Sequence, residues 1–390
     1  MNFVDRLLAR AKQIPAAAKA PAAPLDARVN TIINDALASA GLHRGNANAG
    51  GVAAVIDEAL TRAGLLGPAG TPGPSPAPRA PQPSPPWPAA PAELVDAQPT
   101  TATGQGQFLA QTFVGPAGSL AYKLYLPAGY DAAGADSYPL LVMLHGCTQS
   151  PDDFAAGTRM NALADQHRFM VAYPAQSANA NGSKCWNWFR PQDQVRGKGE
   201  PALIAGMTVQ VGAGNRVDQA RVYVAGLSAG AAMAVVLGRT YPEMFAAVGV
   251  HSGLPYRAAH DVGSAFAAMK GGGTRGADDG THALMPTIVF HGDRDHTVSA
   301  SNGAAVIAQL GGTGAAGLVK SADTAGIAHG GHRYTRTDYL DASGQTVVED
   351  WRVHGGGHAW MGGSAAGTYT DPQGPDASAE MLRFFLQHAL

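Results

Sequence analysis

The sequence is short of charge and of long apolar runs, and each shortage excludes a class of protein. Charged residues make up 14% of the 390 positions, and 27 Lys and Arg nearly balance 29 Asp and Glu. The net charge of -2 therefore offers no basic surface to a polyanion such as nucleic acid. No apolar stretch approaches the roughly 20 residues that a membrane-spanning helix needs. We expect a soluble protein without a nucleic-acid partner.

The amino-terminal segment and the cysteines give information on the cellular compartment in which the protein works. The start, MNFVDRLLARAKQ, shows no clear signal peptide, because Asp5 and Arg6 interrupt its apolar residues. The chain has two cysteines, Cys147 and Cys185. An even count permits one disulfide, which favours an oxidising compartment. Two buried free thiols are the alternative, and the count leaves both open.

Composition divides the chain into three segments. Residues 67–100 are dominated by Pro, Ala, Gly and Ser, which favour an extended linker over a packed core. In residues 1–66, IINDALASAGL at 32–42 is repeated as VIDEALTRAGL at 55–65, which predicts two short amphipathic helices. This extension is either a partner-binding segment or a poorly ordered one. Residues 101–390 form the third segment.

The third segment alternates strand and helix patterns. FLAQTFV and LAYKLYLP are typical of antiparallel entry strands, and the short apolar runs YPLLVMLHG, FMVAYP, RVYVAGLS, FAAVGVHSG and PTIVFHG are typical of buried parallel strands. Helical stretches such as SAGAAMAVVLGRTYP and ASAEMLRFFLQHA separate or follow them. The pattern predicts an α/β domain with a mostly parallel central sheet flanked by helices.

The segment VYVAGLSAGAAMAV contains a G-x-S-x-G motif centred on Ser228. A strand pattern precedes the motif and a helix pattern follows it, which is the context of a nucleophilic serine on a sharp turn. Gly226 and Gly230 allow close approach of the chain while the turn holds Ser228 at the carboxyl edge of the sheet. We therefore predict that Ser228 is a nucleophile and not a structural turn residue.

A serine nucleophile needs a base and an acid, and in this arrangement they follow in the order Ser, Asp or Glu, His. PTIVFHGDRDHTV ends a buried strand at Gly292 and then offers Asp293 and Asp295, between which the pattern alone does not choose. GQTVVEDWRVHGGGHAWMGG offers a strand, a glycine-rich loop and then His358. We predict that His358 is the base.

Two other interpretations of the run HGGGH, residues 354–358, are disfavoured. Histidines four apart share a face only on a helix, and the three glycines disfavour a helix, so we expect no metal site. An oxyanion loop must precede the nucleophile, where the turn His-Gly-Cys at residues 145–147 lies instead. We expect the backbone N–H groups of Cys147 and Ala229 to bind the developing oxyanion, and His354 to end a strand.

Together these segments closely resemble the polyhydroxybutyrate (PHB) depolymerase family of esterases, a branch of the α/β-hydrolase superfamily. The resemblance runs from about residue 105 to 390 and rests on LHGCTQSPDDFAAGT, CWNWF, GLSAGAAMA, HSGLPY, FHGDRDHTV, GGGHAWMGG and YTDPQGPDASAEMLRFFLQH, in that order. It implies a triad of Ser228, Asp295 and His358 and an oxyanion N–H from Cys147. Asp295 is preferred to Asp293 because the family pattern is H-G-x-x-D-x-x-V.

The resemblance also places the aromatic loop SKCWNWF, residues 183–189, close to the active site. It implies that Trp186 and Trp188 supply apolar walls for an acyl chain or polymer segment, with a core position for one of them as the alternative. We further hypothesise that Cys185 pairs with Cys147, which would pin this loop to the oxyanion turn.

The expected function is that of a serine esterase that works through an acyl-enzyme without cofactor or metal. The resemblance implies poly(3-hydroxybutyrate) or its oligomers as substrate, and an acetyl-xylan or feruloyl-type carbohydrate ester is the alternative on a shared scaffold. A catalytically inactive granule or surface binding protein is a hypothesis of another class, against which the complete Ser-Asp-His set argues. The family implies an extracellular location, with the cytoplasm as the alternative, and the oligomeric state is open.

Overall fold

A computed structural model describes residues 106–272, 284–310 and 317–390. The predicted helices of residues 1–66 and the predicted linker at 67–100 lie outside the described residues. None of the described helices is long and apolar enough to cross a bilayer.

Strands and helices alternate along most of the described chain. The strands are β1 (Gln107–Gly115), β2 (Gly118–Leu126), β3 (Tyr138–Leu144), β4 (Met170–Pro174), β5 (Val217–Leu227), β6 (Ala247–His251), β7 (Thr287–Gly292), β8 (Val319–Lys320), β9 (Thr324–Ile327), β10 (Arg333–Leu340), β11 (Thr346–His354), β12 (Trp360–Met361) and β13 (Thr370–Asp371). The helices are α1 (Pro151–Thr158), α2 (Met160–His167), α3 (Gly199–Gly214), α4 (Ala229–Thr240), α5 (Val262–Ala267), α6 (Ser301–Gln309) and α7 (Ala377–Phe385). A 3-10 turn covers Pro191–Gln194, and a π turn covers Ala268–Gly272.

Most of the described strands form one sheet in the order β1-β2-β4-β3-β5-β6-β7-β11-β10-β8, and β9 also pairs with β10. The six strands from β4 to β11 in this order are parallel. Antiparallel strands lie at both sides of them, namely β1 and β2 at one edge and β8, β9 and β10 at the other. The predicted α/β fold with its mostly parallel sheet and antiparallel entry strands is confirmed.

Helices cover both faces of the parallel strands, which explains why those strands are apolar throughout. In β3, Leu140, Val142 and Leu144 pack in a core with α3, α4 and α6. Leu141 and Met143 point to the opposite face and pack with α1, α2 and α7. The alternation follows from the two-residue period of a strand, and burial on both faces is typical of parallel sheets.

The carboxyl ends of the parallel strands bring the predicted site residues to one edge. β3 ends at Leu144, β5 at Leu227, β7 at Gly292 and β11 at His354. The loops that follow these four strands therefore leave the sheet on the same side, where open α/β sheets bind ligands.

Candidate active site

Ser228 occupies a sharp turn between β5 and α4. Its φ of 58° and ψ of -118° form a backbone conformation that side chains larger than glycine rarely adopt. The Ser228 N–H donates to the carbonyl of His251 at 2.9 Å, which holds the turn against the next strand. A Cβ at Gly230 would lie 2.1 Å from the carbonyl oxygen of Leu144, and one at Gly226 would lie 2.4 Å from the backbone of Gly230. The two glycines therefore permit the close packing that the strained turn requires.

His358 and Asp295 form a short hydrogen bond away from solvent. Nδ1 of His358 lies 2.7 Å from Oδ2 of Asp295, and the Asp295 side chain is fully buried. Oδ1 of Asp295 accepts the N–H groups of Thr297 at 2.9 Å and Val298 at 2.8 Å. Burial raises the pKa of the Asp295 carboxyl, but the neighbouring imidazoles of His291 and His358 outweigh burial and hold that pKa below its usual value. Asp295 is thus an anion that fixes the orientation of the His358 ring.

The other histidine of the glycine run has an acid of its own. Nδ1 of His354 lies 3.0 Å from Oδ2 of Asp293, and Nε2 lies 2.9 Å from Oγ1 of Thr335 on β10. Oδ1 of Asp293 accepts the N–H of Gly355 at 2.7 Å, and Gly355 has a positive φ of 86°. Asp293 therefore fixes the start of the glycine loop. His354 ends β11 and pairs with Asp293, whereas His358 pairs with Asp295.

His251, which the sequence patterns did not single out, connects the nucleophile turn to the His358 loop. It ends β6, and its carbonyl accepts the N–H of Ser228. Its Nε2 accepts the N–H of Met361 at 3.0 Å, three residues after His358. Burial lowers the pKa of His251 to about 3, so the ring is neutral and able to accept. The sequence feature that could have indicated this role is the position of His251 at the end of a buried strand, at the same sheet edge as Ser228.

The side chains of Ser228 and His358 are brought to this edge but are not hydrogen-bonded to each other. Among the hydrogen bonds of residues 106–272, 284–310 and 317–390, none joins the Ser228 hydroxyl to the imidazole of His358. Hydrogen bonds of this kind are often long in free enzymes and shorten when substrate binds. The structure therefore brings both residues to the same sheet edge without a hydrogen bond between the Ser228 hydroxyl and the His358 imidazole.

The turn after β3 presents the peptide whose N–H was predicted to bind an oxyanion. The carbonyl of Gly146 accepts Nδ1–H of His145 at 2.8 Å and the N–H of Gln149 at 3.3 Å. Burial lowers the pKa of His145 to about 4, so this ring is neutral. Two donors on the carbonyl polarise the Gly146–Cys147 peptide and strengthen its N–H as a donor. In the described part of the chain, no protein acceptor takes the N–H of Cys147 or that of Ala229.

A disulfide joins the oxyanion turn to the aromatic loop. Cys147 and Cys185 are bonded, with their Cα atoms 4.2 Å apart. The N–H of Thr148 also donates to the carbonyl of Ser183 at 2.6 Å. The loop of residues 183–189 therefore packs directly against the turn that carries Cys147.

A buried carboxyl that the sequence patterns missed holds this loop from inside the protein. Glu200 at the start of α3 accepts the N–H of Asn187 at 2.7 Å and the Nε2–H of Gln176 at 2.5 Å. Gln176 also donates to the carbonyl of Cys185 at 3.0 Å. Burial, and then the charge of Asp193, raise the pKa of Glu200 to about 7. The sequence offered no signal for this residue, because the groups that donate to its carboxylate lie at least 13 residues away.

These contacts direct the rings of the two loop tryptophans, Trp186 and Trp188, toward the protein interior. Trp186 is 0% exposed and its ring packs on His145, with ring centroids 5.7 Å apart. Trp188 is 6% exposed and packs edge-on against Phe189. Trp186 has no surface to offer to a substrate, and a core position, the predicted alternative, describes it. The exposed aromatic ring beside the oxyanion turn is that of Tyr369.

The chain is similar to two bacterial depolymerases. Poly(3-hydroxyalkanoate) depolymerase C of Paucimonas lemoignei is 35% identical over 266 residues, which are 65% of this chain and 60% of that protein. Poly(3-hydroxybutyrate) depolymerase of Ralstonia pickettii is 28% identical over 267 residues, which are 63% of this chain and 53% of that protein. The chain thus spans between about half and three fifths of the length of these curated relatives.

A solved structure and a family model agree with the geometry. An acetyl xylan esterase from Aspergillus awamori matches with a TM-score of 0.54 and 18% identity, and the match covers 72% of this chain and 99% of that one. This likeness concerns the fold alone, which is that of the α/β-hydrolase esterases. The family model described as Esterase PHB depolymerase matches residues 120–327, more than half of the chain, including the strained turn at Ser228 and the acid Asp295. The chain therefore belongs to the PHB depolymerase family of esterases.

Proposed function

We propose that the protein is a serine esterase that hydrolyses a short-chain-length polyhydroxyalkanoate, such as poly(3-hydroxybutyrate), or its oligomers. The observation that carries the proposal is the buried hydrogen bond of 2.7 Å between His358 and Asp295, at the same sheet edge as the strained turn of Ser228. The names of the two depolymerase relatives support the choice of substrate.

In the proposed reaction, Ser228 Oγ attacks the ester carbonyl while His358 Nε2 takes the hydroxyl proton. Asp295 holds the proton on His358 Nδ1 and stabilises the imidazolium that forms. The N–H groups of Cys147 and Ala229 bind the oxyanion of the tetrahedral intermediate. The intermediate expels the alcohol, which takes the proton from His358, and leaves an acyl-enzyme. Water, deprotonated by His358, then attacks the acyl-enzyme and releases the acid and free Ser228.

The first test compares the wild type with Ser228→Ala on p-nitrophenyl butyrate. We expect the variant to lose at least about 10³-fold in kcat, because the remaining machinery has no nucleophile. Equal, measurable rates in the two proteins would refute the triad, and no hydrolysis by the wild type would support the binding-protein hypothesis.

The second test identifies the substrate class by comparing three materials. Wild-type protein is incubated with poly(3-hydroxybutyrate) film, with soluble 3-hydroxybutyrate oligomers and with acetylated xylan. We expect release of 3-hydroxybutyrate from the film or the oligomers and little acetate from xylan. Acetate release from xylan without release of 3-hydroxybutyrate would assign the protein to the carbohydrate esterases instead.

We also propose that the protein works in an oxidising, extracellular compartment. The disulfide between Cys147 and Cys185 supports this location, because disulfides persist outside the reducing cytosol. Assays of ester hydrolysis in culture medium and in cell lysate of the native host test it, and activity confined to the lysate would contradict it.

A further inference from the structure

Tyr369 lies between β12 and β13 with much of its ring in solvent. The residue is 47% exposed, which is unusual for a large aromatic side chain beside a predicted catalytic site. Its φ is 51°, a left-handed conformation that residues other than glycine adopt uncommonly. A strained backbone that keeps an aromatic ring exposed is a reason to look for a function of that ring.

A hydrogen bond attaches the Tyr369 ring to the oxyanion turn. Its hydroxyl lies 3.3 Å from Oγ1 of Thr148, the residue after Cys147. Oγ1 of Thr148 donates to the carbonyl of Cys147 at 2.6 Å, so its lone pair accepts the proton of Tyr369. The phenol is therefore connected through two hydrogen bonds to the carbonyl of Cys147, the residue whose N–H is predicted to bind the oxyanion.

Backbone contacts on both sides hold the Tyr369 segment. The carbonyl of Tyr369 accepts the N–H of Trp360 at 2.7 Å, two residues after His358. The preceding Thr368 donates its N–H to Asp153 at 2.9 Å and accepts Nε2–H of Gln149 at 3.0 Å. The segment therefore spans from the loop of the predicted base to the oxyanion turn, and the ring stands beside the place where an ester carbonyl would bind.

We propose that Tyr369 is the residue that contacts the substrate chain next to the scissile ester and sets the preference for esters with more than one repeating unit. This inference rests on the proposed esterase function. The face of a fixed phenol ring offers apolar surface to the methyl and methylene groups of an aliphatic polyester at little entropic cost. A single ester unit places its carbonyl at Cys147 and Ala229 without reaching the ring, whereas a neighbouring unit of an oligomer packs on it.

The test uses the ratio of kcat/KM for the linear methyl-ester trimer of 3-hydroxybutyrate to that for methyl 3-hydroxybutyrate. The main variant is Tyr369→Asn, because asparagine adopts positive φ readily and the ring is removed without added backbone strain. We expect the ratio to fall about tenfold, which corresponds to about 1.4 kcal/mol. Tyr369→Phe retains the ring, so its ratio should stay within about twofold of the wild type.

A matched control removes exposed apolar surface elsewhere. Val319 on β8 is 60% exposed and pairs with Leu340 at the carboxyl end of β10. Because β10 is antiparallel to β11, this end lies away from the carboxyl ends of the parallel strands, where the predicted site is. Val319→Ala should therefore leave the ratio unchanged. An unchanged ratio in Tyr369→Asn would overturn the inference. If the ratio stayed unchanged because kcat/KM fell equally on both esters, Tyr369 would instead have a role in shaping the oxyanion turn. Neither result affects the proposed esterase function, which fails separately if Ser228→Ala hydrolyses methyl 3-hydroxybutyrate as fast as the wild type.

Discussion

Nδ1 of His358 lies 2.7 Å from a carboxylate oxygen of Asp295, and Nδ1 of His354 lies 3.0 Å from one of Asp293. The two pairs differ far more in burial than in distance, because the Asp295 side chain is fully buried and that of Asp293 is 38% exposed. Charges interact more strongly away from water, whereas an exposed ion pair contributes little. The buried pair is therefore the one suited to stabilising an imidazolium during a reaction.

Exchanging each carboxylate for an amide distinguishes the two pairs. Asp295→Asn should lower kcat on p-nitrophenyl butyrate by about 10³- to 10⁴-fold, because an amide neither stabilises the imidazolium nor enforces the Nδ1–H tautomer. Asp293→Asn should leave kcat within about threefold. Similar losses in both variants would show that the His354 pair also takes part in the chemistry.

The local features of the site were predictable because they depend on short sequence patterns. A strand, a G-x-S-x-G turn and a helix indicate the position of Ser228, whereas the short pattern after β7 offers both Asp293 and Asp295, and the preference for Asp295 came from the family resemblance. Glycines at positions 226 and 230 are needed for close approach of the backbone, and their spacing is visible in the sequence. The buried strands of the sheet were predictable for the same reason, since each is a short apolar run.

The features that sequence reasoning missed depend on contacts between distant segments. His251 acquires its position only when β5 and β6 pair and the loop after His358 returns to its ring. Trp186 points inward because its loop is held through Glu200 and the disulfide to Cys147, and an aromatic loop pattern alone does not state which way it faces. The strands β8 to β10 were missed because they are mostly exposed or only partly buried and lack the apolar run of a buried strand.

The free energy of unfolding should fall in acid partly through His251. Burial lowers its folded-state pKa to about 3, against about 6.5 in an unfolded chain. The unfolded chain therefore binds the proton first, so the contribution of His251 is complete above about pH 6.5 and is lost as the pH falls toward 3. Between pH 7.5 and 4.5 this amounts to roughly 2–3 kcal/mol.

The variant His251→Gln isolates this contribution, because glutamine keeps a hydrogen-bond acceptor but does not titrate. Urea unfolding at pH 7.5 and at pH 4.5 should show a smaller loss of stability on acidification in the variant than in the wild type. Other titrating groups, such as His145 and Glu200, are common to both proteins and cancel in the difference. Equal losses would contradict a role for His251 in the acid sensitivity.

Removing the disulfide should affect both stability and rate. In Cys147→Ser/Cys185→Ser, the chain between the two positions is no longer closed, and the free energy of unfolding should fall by about 2–4 kcal/mol. The rate should fall by about tenfold and not vanish, because the hydrogen bond from Thr148 to Ser183 still attaches the loop to the oxyanion turn. Urea unfolding and kcat on p-nitrophenyl butyrate measure the two effects. A double variant with wild-type stability and rate would show that the bond is dispensable for the turn.

Trp186 and Tyr369 should respond to substitution in opposite ways, because one ring is buried and the other is exposed. Trp186→Phe leaves a cavity in the core and should lower the free energy of unfolding by about 1–3 kcal/mol, while KM for the 3-hydroxybutyrate trimer stays within about twofold. Tyr369→Asn should raise KM for the trimer and leave the urea midpoint close to that of the wild type. If Trp186→Phe instead raised KM at unchanged stability, Trp186 would be the substrate wall that the CWNWF loop pattern suggested.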